Sequence, residues 1–317
     1  MSDRARGRPA RPLNLSLKHL RAAREVAALG SFTAAAVNLA MTQPGVSRLV
    51  AQVERDLGIP LFLRSTRTVT LTGPGRDFLE AAGRFLDDLD SQVAHARGLG
   101  GQLRGRLVIS SLLSLTHHLV PGALAAYRRD HPGVEVHMRE GLGSEVYEDV
   151  RSGIADFGLG NATGLGPEIV AEDAVRESCL VVLPSGHPLA SQASVALRDV
   201  AREPLVSLPV GSGLRRLMDG VAAAHGLTLS HMTVVEQFGS LLDFVAAGLG
   251  LAIVPPTALP PRLPRTLKAR PVVSPAIVRE IGILRLRTRP LSPAAIGFLD
   301  VFRPRFIQAV PRPQPRP

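Results

Sequence analysis

The hydrophobic pattern of this chain changes period once, at a cluster of glycines: Gly98, Gly100, Gly101 and Gly105. Before the cluster, apolar residues recur at three- and four-residue intervals, the spacing of amphipathic helices. From Arg106 onward they gather into short runs, such as Leu107-Val108-Ile109 and Leu251-Ala252-Ile253-Val254, separated by helical stretches. Repeated alternation of that kind predicts a mostly parallel sheet covered by helices. Two modules of different class therefore share 317 residues, more than one ordinary core fills. The spacing divides the chain into an arm (1–15), a helical module (16–73), a long helix (74–98), a hinge (99–105), an α/β module (106–310) and a proline-rich tail (311–317).

Charge follows the same division. Residues 1–72 hold eleven Lys/Arg against four Asp/Glu, and the last 17 residues hold four Arg and no acid. The net charge of +10 thus sits at the ends, leaving the body near neutral. A basic terminal module is the footprint of a polyanionic partner. With no Trp and 4% aromatics, the cores are expected to be aliphatic. The single cysteine, Cys179, excludes an intramolecular disulfide and a Cys-based zinc site. The opening stretch MSDRARGRPARP is followed by no apolar segment of the secretory kind, and the longest apolar stretch, 244–256, is short and broken by glycines. The expectation is a cytoplasmic protein with no membrane partner.

Three helices are predicted in the first module. Ser16 caps a helix over 17–28, Ser31 caps an alanine-rich one over 32–39, and Thr42 caps a third that runs from Gln43-Pro44 to Leu57 and stops at Gly58. On the third helix Val46, Val50, Val53 and Leu57 form one apolar stripe, and Gln43, Pro44, Ser47 and Arg48 project away from it. A tight turn between two helices, the second with a polar N-terminal outer face, is helix-turn-helix architecture, and that face is what enters a major groove. Gln pairs with adenine and Arg with guanine, while Ser and a helix N-terminus suit phosphate. Residues 61–72 then read as two short β-branched strands joined by a basic turn, a wing that carries Arg64 and Arg67.

The ordered run Leu20, Ser31-Phe32-Thr33-Ala34-Ala35-Ala36, Leu39, Thr42-Gln43-Pro44-Gly45-Val46-Ser47-Arg48, Glu54, Leu57-Gly58, Leu61-Phe62-Leu63-Arg64, Arg67, Leu71-Thr72 and Gly75 closely resembles the LysR-type transcriptional regulators. The resemblance implies a winged helix-turn-helix in which Thr42, Gln43, Pro44, Ser47 and Arg48 face double-stranded DNA, with Arg64 and Arg67 serving the wing. Gly45 departs from the family pattern, which usually has a small side chain there. Glycine in the first turn costs the helix roughly 0.5–1 kcal/mol.

In the long helix, Leu79, Ala82, Leu86, Leu89, Val93 and Ala96 alternate three and four apart, a coiled-coil seam predicting a homodimer. The resemblance adds that such dimers often assemble to tetramers, and a second copy would read the second half of an interrupted inverted repeat. RNA polymerase is a further candidate partner.

The α/β module has room for two small lobes, lobe I over about 106–174 and 277–306 and lobe II over about 179–265. The resemblance implies a periplasmic-binding-protein-like fold with an effector in the inter-lobe cleft. Ligands of such sheets lie beyond strand carboxyl ends, at helix N-termini. Ser111, Ser114, Asn161, Thr163, Ser212 and Phe238 fall at such positions, and Ser111, Ser114 and Ser212 also match where family members contact effectors. No cofactor is expected; hydroxyls at helix N-termini predict a small-molecule effector, a carboxylate or another small anion. The chain has no GxxxxGK[ST], GxSxG or HExxH pattern, so no enzyme is expected. Two rival readings are a transporter's solute-binding protein, disfavoured by the basic helical module, and an architectural DNA-binding protein with an inert second domain.

Overall fold

The computed structural model describes residues 14–64, 69–96 and 105–309. Most of the arm, the hairpin tip, most of the hinge and the tail lie outside the described residues. The chain divides into two compact units at Gly98/Leu99.

The first unit opens with α1 (Leu17–Leu29), α2 (Phe32–Asn38) and α3 (Gln43–Leu57). Glycines end two of them in the left-handed region, Gly30 after α1 (φ +60°) and Gly58 after α3 (φ +71°). The Ser31 hydroxyl accepts the Ala34 N–H at 3.2 Å, the cap the sequence predicts. Ala22, Ala23, Ala35 and Ala36 are buried together with Val46, Val50 and Val53, so the small side chains let α1 and α2 close on the apolar stripe of α3. Strands β1 (Phe62–Arg64) and β2 (Val69–Leu71) pair antiparallel, Phe62 opposite Leu71. A Cβ on Gly75 would stand 2.2 Å from the Leu61 carbonyl oxygen, so only glycine lets the next helix start there.

That helix, α4 (Gly73–Ala96), carries the predicted seam. Leu79, Ala82 and Leu86, half of the predicted dimer seam, are already buried in the single chain. Helix α4 lies along α1, held by Arg24–Asp87 at 2.6 Å and Arg21–Asp90 at 2.5 Å. Three-four spacing marks an apolar stripe without saying whose surface covers it. Among the described residues of α4, Phe85 (55% exposed) and Val93 (38%) are the large apolar side chains left outward.

The second unit starts with β3 (Gly105–Leu112), α5 (Leu113–Asp130), β4 (Val134–Gly141), α6 (Gly143–Arg151), β5 (Phe157–Asn161) and β6 (Ile169–Ser178). It continues through β7 (Leu180–Pro184), β8 (Val195–Ala196), α7 (Leu197–Val200), β9 (Pro204–Ser207), α8 (Gly213–Ala223), β10 (Ser230–Val234), α9 (Phe238–Ala246) and β11 (Ala252–Val254). It closes with β12 (Leu267–Val273), β13 (Val278–Leu286) and α10 (Pro293–Ala309). Lobe I is a five-stranded sheet in the order β4-β3-β5-β13-β6. Lobe II has the order β11-β7-β12-β8, and a bridge between Leu205 and Leu251 joins it to the β9/β10 pair.

The sheets are mixed, not mostly parallel. Strands β3, β4 and β5 run parallel, but β13 is antiparallel to β5 and β6, and β7 is antiparallel to β11 and β12. The chain leaves lobe I through β6 and re-enters it through β13, so the returning strand runs against its neighbours. The aliphatic expectation holds for lobe II and fails for lobe I. There Tyr127, Phe157, Phe298, Phe302 and Phe306 are fully buried, and three phenylalanines stack at four-residue spacing along α10 with centroids 5.6 and 5.4 Å apart. Few aromatics suffice when they are concentrated. Phe302→Ala should cost about 3–5 kcal/mol, because the ring is fully enclosed and its neighbours are themselves rings. Urea unfolding of the full chain would read that as a lower midpoint.

Candidate nucleic-acid interface and ligand cleft

Each predicted residue of α3 takes the place its spacing demands. The Thr42 hydroxyl accepts the Gly45 N–H at 3.3 Å, which places Gln43 and Pro44 in the exposed first turn. Arg48 lies one turn on, also exposed, its Nε donating to the Pro44 carbonyl at 3.4 Å and its guanidinium in no ion pair among the described residues. Ser47 between them is half-buried. The face thus offers an amide, a hydroxyl and a guanidinium around a helix N-terminus, the groups that read base edges and hold phosphates. A Cβ on Gly45 would approach the Thr42 hydroxyl to 3.1 Å, so the departure from the family pattern leaves this cap unstrained.

Glu54, on the same helix, was noticed only as part of the family pattern. Its Oε1 accepts the N–H groups of Leu61 (2.9 Å) and Phe62 (3.2 Å), fastening α3 to the first strand of the hairpin. Arg64 lies on β1 opposite Val69, while Arg67 falls outside the described residues.

In the second unit, four helices begin at one cavity of about 40 Å³. It is lined by Leu113 and Ser114 of α5, Gly143 of α6, Gly213 and Leu214 of α8, and Phe238 of α9. None of the four cap residues, Leu112, Leu142, Ser212 and Gln237, makes a side-chain cap to its helix. The Glu145 carboxylate in the first turn of α6 accepts the Leu142 N–H at 2.6 Å, so three partial positive charges, those of α5, α8 and α9, converge on one small space with no carboxylate capping them. Two of the helices belong to lobe I and two to lobe II, so the cavity lies between the lobes. A second cavity of about 230 Å³ shares Asn161, Gly213, Leu214 and Arg279 with the first and adds Thr163, Arg176 and Glu280.

Five predicted contacts, Ser114, Asn161, Thr163, Ser212 and Phe238, line these two cavities. Ser111 does not. Its side chain is fully buried and its hydroxyl donates to the Leu112 carbonyl at 3.1 Å. Position after a strand predicted it, but β3 runs on through Leu112, so Ser111 is still inside the sheet.

Three residues at the cleft floor escaped the sequence reading. Arg279 of β13 and Glu177 of β6 are cross-strand partners, Nε to Oε1 at 2.6 Å, and Glu177 is wholly inaccessible to solvent. The Arg279 Nη2 also donates to Ser114 Oγ (2.9 Å) and to Thr257 Oγ1 (3.0 Å). Ser114 belongs to lobe I and Thr257 to a short 3-10 turn of lobe II, Pro256–Ala258. The available signal was a charged pair, Arg279-Glu280, directly before the apolar run Ile281-Gly282-Ile283-Leu284. Gly141 and Gly143 were a second signal. A Cβ on the former would meet Glu145 at 2.6 Å and on the latter would stand 3.1 Å from Asn161 Nδ2.

Cys179, two residues beyond Glu177, is fully buried. Burial pushes its thiol up to about 12, with Glu177 adding to the rise and Arg279 opposing it. It is an inert packing residue. Among the described residues, no helix is long and apolar enough to cross a membrane and no group of His, Cys, Asp and Glu could hold a metal ion.

The family model for bacterial regulatory helix-turn-helix proteins of the lysR family matches residues 17–76, and that for the LysR substrate binding domain matches residues 100–307. The chain belongs to the LysR family of transcriptional regulators. It is 30% identical over 295 residues to the HTH-type transcriptional regulator YfeR of Shigella flexneri, covering 92% of this chain and 94% of that one. Among solved structures, a full-length OxyR variant from Pseudomonas aeruginosa superposes with a TM-score of 0.69 at 22% identity, covering 96% of this chain and 99% of the other. CbnR bound to its target DNA superposes at 0.63 and 22%, covering 92% of this chain and all of CbnR. This LysR-type regulator is a DNA-binding protein with an effector-binding domain, not an enzyme.

Two outcomes check the geometry. Glu54→Ala strips two backbone N–H groups of their acceptor and should cost about 1–3 kcal/mol, seen in urea unfolding together with weaker DNA binding. Cys179 should resist a thiol-titrating disulfide reagent at pH 8 in the folded protein and react fully once guanidinium unfolds the chain; ready labelling of the folded protein would contradict its inertness.

Proposed function

We propose that this regulator is a cytoplasmic homo-oligomer that reads an interrupted inverted repeat and responds to a small carboxylate held between its lobes. The observation that carries the DNA reading is the outer face of α3. Gln43, Pro44 and Arg48 stand exposed around a capped helix N-terminus, with the opposite face spent on the core. Arg64 and Arg67 of the wing add sequence-independent attraction to phosphates.

Support for assembly comes from α4, where Phe85 and Val93 are exposed and Leu89 partly so, beyond the half of the seam that is buried within the single chain. A second copy covering them would bring a second α3 to the second half-site, in dimers or tetramers. RNA polymerase is the partner such a complex would address once seated on DNA. The convergence of three uncapped helix N-termini, those of α5, α8 and α9, on one cavity supports an anionic effector. A cavity of about 40 Å³ has room for a carboxylate head, and the adjoining 230 Å³ for the rest of a small molecule. Effector binding shifts the balance between two lobe arrangements and thereby the spacing of the paired helices on DNA.

Arg48→Ala should lose about 1–3 kcal/mol of discrimination at one base pair, whereas Arg64→Ala should weaken all sequences alike and reduce the salt slope by about 1. Competition binding at several salt concentrations separates the two. DNase footprints of the full chain on its own promoter region should show two protected half-sites; no preference over random duplex would overturn the reading.

A further inference from the structure

The floor of the cleft holds an ion pair whose geometry goes beyond recognition. Glu177 is fully buried and Arg279 nearly so, and the pair sits where β6 leaves lobe I and β13 returns to it. A buried pair of this kind is held by the hydrogen bonds around it. Here those bonds reach both lobes. Nη2 of Arg279 is shared between Ser114 of lobe I and Thr257 of lobe II, and Glu177 accepts both the Thr257 hydroxyl (3.0 Å) and its backbone N–H (3.3 Å).

Arg279 also lines both cavities of the cleft, and its Nη1 makes no hydrogen bond among the described residues. The smaller cavity is also lined by Ser212, 5% exposed, whose hydroxyl likewise has no partner among the described residues. A hydroxyl at a helix N-terminus and a guanidinium nitrogen that line one small cavity, neither hydrogen-bonded among the described residues, suit a two-oxygen anion.

We infer that Arg279 is at once the receptor for a small carboxylate and the pin that couples it to the lobes. A carboxylate seated on Nη1 and Ser212 places a second negative charge on a guanidinium already shared with Glu177. The hold of Arg279 on Glu177 weakens, and with it the bonds that tie Thr257 to the crossover strands. Glu177 is thus an internal competitor of the ligand, and Thr257 reports the outcome to lobe II. This inference rests on the reading of the cleft as an anionic effector site.

The test uses the full chain, with sodium acetate as the probe and sodium chloride at matched ionic strength as the control. Acetate should raise the melting temperature of the wild-type protein in a saturable way. Glu177→Gln should melt lower in chloride yet gain more from acetate than the wild type, because acetate supplies the charge that the substitution removes. Ser212→Ala should melt as the wild type does in chloride and bind acetate roughly tenfold more weakly, the loss of one hydrogen bond to a charged group. Acetate should also speed hydrogen exchange at the Thr257 amide.

An equal or smaller acetate gain in Glu177→Gln, or an unaltered Thr257 amide at saturating acetate, would overturn the coupling. If Glu177→Gln does not fold, Ser212→Ala decides alone, and an acetate response equal to the wild type sinks the inference. Absence of any wild-type response to acetate also sinks it, while the DNA-binding reading stands or falls separately on the footprints.

Discussion

Arg279 and Glu177 face each other across the two strands that carry the chain between its lobes, and the cleft is organised around them. A charge pair removed from water is tolerable only when its remaining donors and acceptors are matched. Matching them recruits the first turn of α5 and a 3-10 turn of lobe II, which fixes how those two elements meet. The helix entrances that line the smaller cavity are the surroundings of this pair. Its cost in desolvation sits beside the cavity between the lobes, where Arg279 precedes the apolar run of β13.

The helical module was legible almost residue by residue, because its logic is local. Caps at Ser31 and Thr42, stops at Gly30 and Gly58 and the stripe Val46-Val50-Val53 are each set by neighbours a few positions away. The apolar runs 107–109 and 251–254 lie within β3 and across β11, and Ser114, Asn161, Thr163, Ser212 and Phe238 line the cleft cavities, as the rule that ligands gather at strand ends suggests. Ser111 failed that rule because β3 runs further than its apolar run.

What was not legible is long-range. Arg279 meets Glu177 across 102 positions and Ser114 across 165, distances over which no periodicity carries information. Strands β6 and β13 escaped for a related reason: they cross between lobes, so their faces change surroundings midway and their patterns do not alternate cleanly. The seam on α4 has the predicted period, and α1 of the same chain covers its first half.

The entrances of α5, α8 and α9 meet at the crevice beside a fourth, that of α6, whose pole the Glu145 carboxylate tempers. If an anion sits there as proposed, linkage runs both ways: whatever grips the module from outside and favours the arrangement that holds the anion must also tighten that hold by the same factor. A promoter that prefers one arrangement would in this way set how much metabolite is needed to fill the site.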